Sequence, residues 1–300
     1  MKFGHLERID EVDFSLPAMS SSLKKIATVS FEDLSFHIGA PVWADKNYLG
    51  VLFPSGTKQK DFLLAYSKQF NSIEVNATRF GTPKKEVINR WADTVDKGFK
   101  FSLKVPQVIT HRKDINDLKS RLHFDQFLLA IDNLGDYSGL SFAVMANYFK
   151  ASDFDKLVSF IENVPKGFPL SIEFRDSSWF SPSVMNEWEQ LFCENSISTV
   201  ITDTPGRRDV AHCRVSSEHL FVRYVGDFNH PSDLVRINHW LDKINESLLF
   251  GIKHVWFYVH QPGDQRGKIV DFFNAFISQL KAEKKVKIPL IKDYRQPELF

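Results

Sequence analysis

The sequence predicts one α/β domain of the (β/α)8 type, a TIM-type barrel with parallel strands inside and helices outside. Two patterns carry this prediction: eight short β-rich apolar runs recur along the 300 residues, and segments with helical periodicity lie between them. Hydrophobic residues make up 43% of the chain, which is enough for a large single core. An open doubly wound sheet shows the same alternation, but no dinucleotide-binding or P-loop glycine motif follows any strand.

The strands are expected where branched and aromatic residues cluster between turn residues. In chain order these runs are 36–40, 72–76, 99–105, 140–145, 170–174, 197–201, 220–225 and 254–259. Apolar residues recur at helical spacing in the intervening stretches. The helices are expected at 58–70, 84–94, 120–134, 152–163, 181–195 and 233–248.

The barrel is expected to span residues 34–280, between an N-terminal extension (1–33) and a charged, proline-containing tail (281–300) that packs outside or is partly disordered. The stretch 16–26 is too short and interrupted for a signal peptide, and no apolar run approaches the roughly 20 residues that cross a bilayer. The chain is therefore expected in the cytoplasm, without a membrane partner.

The charge balance argues against a partner that binds through the whole surface. Lysine plus arginine number 38 and aspartate plus glutamate 37, for a net charge of +1, so no nucleic-acid partner is expected and any anion site must be local. The two cysteines, Cys193 and Cys213, lack metal-ligand spacing and are expected to be small apolar packing residues. We expect no cofactor.

Active sites of such barrels lie at the carboxyl ends of the strands, and here those ends are polar. Charged residues inside apolar strands need a partner or a ligand, arginine matches carboxylate or phosphate, and histidine titrates near neutral pH. The expected catalytic residues are Glu74, His111 and Glu173. The expected substrate-binding residues are Trp43, Asn76, Lys104, Arg175, Trp179, Asp203 and Arg223. Structural salt bridges, loop braces and lid packing are the alternative roles.

A recognisable pattern is present in the segments 38–43, 70–78, Trp91, 99–111, 172–180, 203–205 and 221–224. Over roughly residues 36–275 the chain thereby resembles the YecE-like family, known as domain of unknown function 72. The resemblance implies a TIM-type barrel and places Glu74, Asn76, Lys104, His111, Glu173, Arg175, Trp179, Asp203 and Arg223 at characteristic positions. It implies no reaction, because the family lacks an assigned one.

The chain departs from the family pattern at several strand ends. Ala40, Pro41 and Val42 replace the middle of a Gly-Thr-Ser-Gly-Trp type segment, and 144–147 replaces a Gln-Leu-Pro-Pro run. The segment 260–262 replaces an asparagine-rich end, and two arginines at 207 and 208 add positive charge. These departures leave two expectations open: a ligand different from that of typical members, or a weakened ancestral activity.

Two functions of different class follow from these residues. In the first, a hydrolase or isomerase acts on a small anionic substrate that Lys104, Arg175 and Arg223 hold, while Glu74 or Glu173 moves protons with His111. In the second, a noncatalytic metabolite-binding or scaffold protein uses the same pocket. Glycoside hydrolysis stays open because the carboxylate separation is unknown, and the interleaved cations disfavour a metal.

Overall fold

The computed structural model describes residues 3–22, 29–227, 230–283 and 288–295. In these ranges each of the eight predicted runs overlaps one strand, so the eight strands are confirmed, with ends that differ by up to two residues. The strands are β1 (Ser35–Gly39), β2 (Ser72–Val75), β3 (Lys100–Leu103), β4 (Ser141–Val144), β5 (Leu170–Glu173), β6 (Ser198–Asp203), β7 (His219–Val225) and β8 (His254–His260).

Helices alternate with these strands along much of the chain. They are α1 (Phe62–Ser67), α2 (Lys85–Thr94), α3 (Gln107–Thr110), α4 (Leu118–Leu134), α5 (Phe154–Glu162), α6 (Pro182–Asn195), α7 (Ser232–Ser247) and α8 (Ile269–Glu283). The first helix is shorter than the predicted 58–70, because a 3-10 turn (Gln59–Asp61) precedes it. Between β6 and β7 the described chain contains a 3-10 turn, Arg208–Val210, in place of an α-helix.

Among the described residues all strand pairs are parallel, and they form two sheets. The larger has six strands in the order β1-β8-β7-β6-β5-β4, and the smaller pairs β2 with β3. Backbone hydrogen bonds also cross both seams: Glu74 N donates to Ala40 O at 3.2 Å, and Val105 N donates to Phe142 O at 2.8 Å. The smaller sheet therefore lies between β1 and β4, with its strand ends beside those of the larger one.

The two faces of the sheets bury different side chains, because successive residues of a strand point to opposite faces. The outer face packs against the helices in the main hydrophobic core. The inner face holds a smaller apolar cluster that includes Phe142, Phe221 and Trp256. Above it, the Tyr258 hydroxyl lies 2.6 Å from Ser72 Oγ and 2.8 Å from Ser102 Oγ. The side chains on the inner face therefore change from apolar to polar just below the carboxyl ends of the strands.

The N-terminal segment runs over the carboxyl ends of the strands and then down the outside, between α6 and α7. Gly206 N donates to Gly4 O at 2.8 Å at the upper end. Further along, Met19 N donates to Glu246 Oε1 at 2.8 Å, and Ser22 N donates to Glu189 Oε1 at 2.7 Å. The segment therefore contacts both the strand ends and the helical layer.

The described part of the C-terminal tail packs against the outside of the molecule. The Asn274 side chain bonds both backbone groups of Ile291, at 2.8 and 2.9 Å, and Ile291 is buried. The predicted tail also covers 284–287 and 296–300, which lie outside the described residues. In the described ranges, no helix combines the length and the apolar character that a membrane span requires.

Candidate functional site

The guanidinium of Arg223 joins two glutamates at the carboxyl ends of the strands. Its Nε and Nη2 donate to the two oxygens of Glu74 at 3.0 and 2.8 Å, and its Nη1 donates to Glu173 Oε2 at 2.6 Å. The three residues come from β7, β2 and β5 and are 2%, 0% and 1% exposed. A bidentate pair of this kind fixes the orientation of both partners.

Glu74 has partners on both of its oxygens. Asn76 Nδ2 donates to Oε1 at 2.6 Å, and His260 Nε2 lies 3.1 Å from Oε2. Burial acts to raise the pKa of Glu74, but Arg223 and His260 outweigh it and hold the pKa well below its usual value. Glu74 is therefore ionised at neutral pH, and its oxygens are already occupied by protein donors.

Glu173 carries the cluster on to Arg175. Arg175 Nη2 lies 2.7 Å from Glu173 Oε1, and Arg207 Nη1 donates to the Arg175 carbonyl at 2.8 Å. The ring of Phe3 covers the other side, with its centroid 3.7 Å from Arg175 Cζ. Arg175 is buried, yet its pKa falls only to about 10, chiefly because of burial, so it is charged at neutral pH. The N-terminal segment thus closes one side of the cluster.

Lys104 differs from the two arginines because its charge is not paired. It is 8% exposed, and among the described residues no carboxylate and no hydrogen-bond acceptor reaches its ammonium group. Burial, followed by the nearby charge of Arg223, lowers the pKa of Lys104 to about 8. We call Glu74, Lys104, Glu173, Arg175 and Arg223 the inner ion cluster: three cations and two carboxylates.

His111 follows α3 and is half-buried. Its Nδ1 lies 2.9 Å from Thr110 Oγ1, and the Gln107 amide nitrogen lies 3.2 Å from its Nε2, so that Nε2 accepts as a neutral imidazole does. Burial lowers the pKa of His111, and the charges of Lys104 and Arg175 lower it further. The imidazole is therefore neutral at pH 7 and lies within electrostatic range of the inner ion cluster.

Trp43 and Asn76 line a cavity of about 320 Å³ beside the inner ion cluster. The cavity is mainly apolar and also contacts Pro41 and Phe80, while Trp43 packs edge-on against Trp91 at 5.4 Å between ring centroids. Asn76 connects the cavity to the charged residues through its bond to Glu74. An apolar ligand group could therefore lie next to the polar strand ends.

Trp179 lies away from these groups, in the outer core. Its ring is fully buried and stacks on Phe174 at 4.1 Å, and its Nε1 donates to Phe149 O at 2.7 Å. These contacts fix the loop after β5, which also carries Arg175.

Asp203 lies in a second buried network on the outer side of β6. Its Oδ2 accepts from Arg236 Nε at 3.1 Å and from Trp240 Nε1 at 2.8 Å, and its Oδ1 pairs with Arg208. Arg236 Nη1 also donates to Asp233 Oδ1 at 3.2 Å. We call Asp203, Arg208, Asp233 and Arg236 the outer ion cluster.

The sequence analysis did not select His260, although it directly contacts Glu74. The available signal was the alternation along β8: His260 is two residues after Tyr258, so both point to the inner face. Phe3 was also missed, because a phenylalanine in an N-terminal extension carries no local signal of a contact with Arg175.

Parallel strands with buried charges at their carboxyl ends define an α/β protein with a candidate site at the strand ends. The chain belongs to the family described as protein of unknown function DUF72, whose model matches residues 37–295. This finding confirms the resemblance inferred from the strand-end residues.

Two curated relatives are the UPF0759 protein YecE of Escherichia coli K12 and its counterpart in Escherichia coli O157:H7. Each is 25% identical over 145 residues, which are 48% of this chain and 50% of the relative. The match therefore spans about half the length of those relatives.

Crystal structures of DUF72 family proteins have a similar fold. One from Enterococcus faecalis V583 superimposes with a TM-score of 0.65 and 17% identity, covering 89% of this chain and 100% of that one. One from Thermotoga maritima MSB8 gives a TM-score of 0.60 and 18% identity, covering 83% and 99%. Likeness at this level of identity establishes the fold alone.

Proposed function

We propose that the eight strands form a closed barrel and that its mouth is an enzyme site, of the hydrolase or isomerase type, for a small anionic substrate. The mouth is the end of the strands that carries the inner ion cluster. The closed barrel is supported by the backbone hydrogen bonds that link β1 to β2 and β3 to β4. A ring of parallel strands brings side chains from distant segments to one end, where they can act on one ligand.

The unpaired charge of Lys104 is the observation that carries this proposal. An ammonium group buried without a counter-ion is costly, and the two nearby carboxylates already pair with arginines. A bound carboxylate or phosphate would supply the missing negative charge. The substrate class is therefore anionic, with Lys104 and Arg175 as its binding residues.

The contacts of the two glutamates favour different roles. Glu74 is held by Arg223, Asn76 and His260, so we assign it as a positioning residue for Arg223. Glu173 contacts the more exposed side of the cluster through Arg175, and His111 is neutral. Proton transfer is therefore assigned to His111, with Glu173 as its candidate partner. Trp43 lines the cavity that would take an apolar group of the substrate.

A noncatalytic metabolite-binding protein is the second candidate. It is favoured by one observation: both carboxylates are paired with arginines, which lower their pKa values, so neither holds a proton at neutral pH. Such a site binds an anion without needing an acid. The two candidates share the ligand class and differ only in turnover.

Thermal unfolding with added phosphate, glucose 6-phosphate or gluconate at low ionic strength tests the ligand class. We expect at least one anion to raise Tm. At 100 times its Kd the anion should stabilise the folded protein by about 2.7 kcal/mol. Lys104→Met should abolish this shift, whereas Lys100→Met, at the other end of β3, should retain it. The shift should also weaken above about pH 8, where Lys104 loses its proton. A flat response of the unaltered protein to all three anions contradicts the proposal.

Turnover separates the two candidates. Each anion that raises Tm is incubated with the protein and followed by proton and phosphorus NMR. The enzyme proposal expects conversion that His111→Ala slows by about 100-fold or more while the Tm shift persists. Binding without conversion supports the metabolite-binding alternative.

A further inference from the structure

Three structural properties of Lys104 determine the reactivity of its amine. It is almost completely buried, it projects from the same face of its strand as Ser102, and no described group pairs with it. A buried lysine without a counter-ion stays charged only at a cost, so the neutral amine is favoured relative to an exposed lysine. Such an amine is a nucleophile.

The neighbouring positive charges also lower the pKa of Lys104. Arg223 and Arg175 are permanently charged and disfavour a third cation, and together with burial they bring the pKa of Lys104 to about 8. About a tenth of the protein then carries a neutral Lys104 amine at pH 7, against a far smaller fraction for an exposed lysine. The two glutamates oppose this effect only partly, because each is already paired with an arginine.

We propose that Lys104 forms an imine with the carbonyl carbon of a small anionic aldehyde or ketone, which makes the ligand an oxo acid or an oxo phosphate. This inference rests on the proposed anion site and specifies its substrate class. The carbonyl group reacts with Lys104 while the carboxylate or phosphate is held by the positive field of Arg175 and Arg223. An isomerase or lyase step on the carbon next to the carbonyl would follow from such an intermediate.

The bond changes balance without any further reactant. The Lys104 nitrogen attacks the carbonyl carbon, and one amine proton moves to the oxygen to give a carbinolamine. The carbon–oxygen bond then breaks, and the oxygen leaves as water with the second amine proton. His111 is neutral and can carry a proton from nitrogen to oxygen. The neutral imine then takes up one proton from water, and the resulting iminium carries one positive charge, so the site still favours an anion.

Reductive trapping tests the inference on the full chain. The protein is incubated with sodium cyanoborohydride and either pyruvate or dihydroxyacetone phosphate, and the modified lysines are mapped by mass spectrometry. We expect Lys104 to be alkylated at least about tenfold faster than Lys100. The rate at Lys104 should rise with pH and level off above about 8, whereas an exposed lysine continues to rise. Equal labelling of Lys104 and Lys100 would overturn the inference.

Matched ligands and variants separate this inference from the proposed function. Lactate and glycerol 3-phosphate keep the anionic group but lack the carbonyl, so they bind without forming an imine. If they raise Tm while no trapping occurs at Lys104, the anion site stands and the imine is excluded. If neither they nor the oxo compounds raise Tm or label Lys104, both proposals fail. Lys104→Arg retains the positive charge, so lactate should still raise Tm, but the variant should form no adduct with the oxo compounds. If the variant still forms the same adduct, another residue carries the reaction.

Discussion

The two buried ion clusters have similar components and different charge balances. The outer ion cluster pairs two aspartates with two arginines, Arg208 and Arg236. The inner ion cluster has the same number of carboxylates but a third cation, Lys104, that no carboxylate pairs with among the described residues. The charges of the outer cluster compensate one another, whereas the inner cluster leaves one positive charge without a partner among the described residues. This excess charge is the reason for which we propose the inner cluster as the site.

Strand geometry explains why the clusters form on opposite sides of the sheet. Thr202 stands opposite Arg223 in the pairing of β6 with β7. The next residue, Asp203, points to the other face, where Arg236 and Trp240 of α7 receive it. Two successive residues of β6 therefore have different surroundings: Thr202 points to the inner face, and Asp203 links the sheet to α7.

Removing the arginine of the inner ion cluster should have the largest effect. Arg223→Met leaves Glu74 and Glu173 without their shared partner, and we expect it to lower the free energy of unfolding by about 5 kcal/mol. Lys104→Met removes an unpaired charge and should leave stability unchanged or raised. Urea denaturation of both variants measures the difference. Equal destabilisation by the two would mean that Lys104 has a counter-ion and that the contrast between the clusters is wrong.

The outer ion cluster should be important for stability but not for binding. Asp203→Asn removes the charge that Arg236 and Arg208 share, and we expect a loss of about 3 kcal/mol. The Tm shift caused by an anion should be the same as in the unaltered protein. Glu218→Gln, which breaks an exposed pair with Lys253, is the control and should change stability by under about 1 kcal/mol. A lost anion shift in Asp203→Asn would move Asp203 into the binding site.

The sequence predicted the strands and most inner charged residues because both follow from the alternation of side chains along a strand. Alternation along β2 puts Ser72, Glu74 and Asn76 on one face, and a charge inside an apolar strand is visible without a structure. The same rule does not say which face is inner when the strand end is polar on both sides. For that reason Asp203 was grouped with Glu74 and Arg223, although two of its partners, Arg236 and Trp240, lie on α7.

Contacts between segments that are distant in the sequence could not be predicted from the sequence pattern. Trp179 follows a strand end, as a wall of a binding site would, but its stacking on Phe174 depends on how the loop after β5 folds back. The contact of Phe3 with Arg175 joins residues far apart in the chain, and no periodicity encodes it. The unpaired state of Lys104 was also invisible, because pairing depends on distances that only the assembled strands fix.

The smallest expected effects concern the two phenylalanines that the N-terminal segment places against the clusters. Phe14 is buried, with its ring centroid 4.5 Å from Arg236 Cζ, and Phe3 lies against Arg175. Replacing either ring with leucine removes a cation–π contact, which is expected to cost about 1 kcal/mol at a buried position. Phe14→Leu should therefore lower stability by about that amount without altering anion binding. Phe3→Leu should change stability less and strengthen the anion shift, because Arg175 becomes more accessible to a ligand. Thermal unfolding of both variants with and without the anion measures these differences. If Phe3→Leu weakens the shift instead, Phe3 is part of the binding surface and not a cover over it.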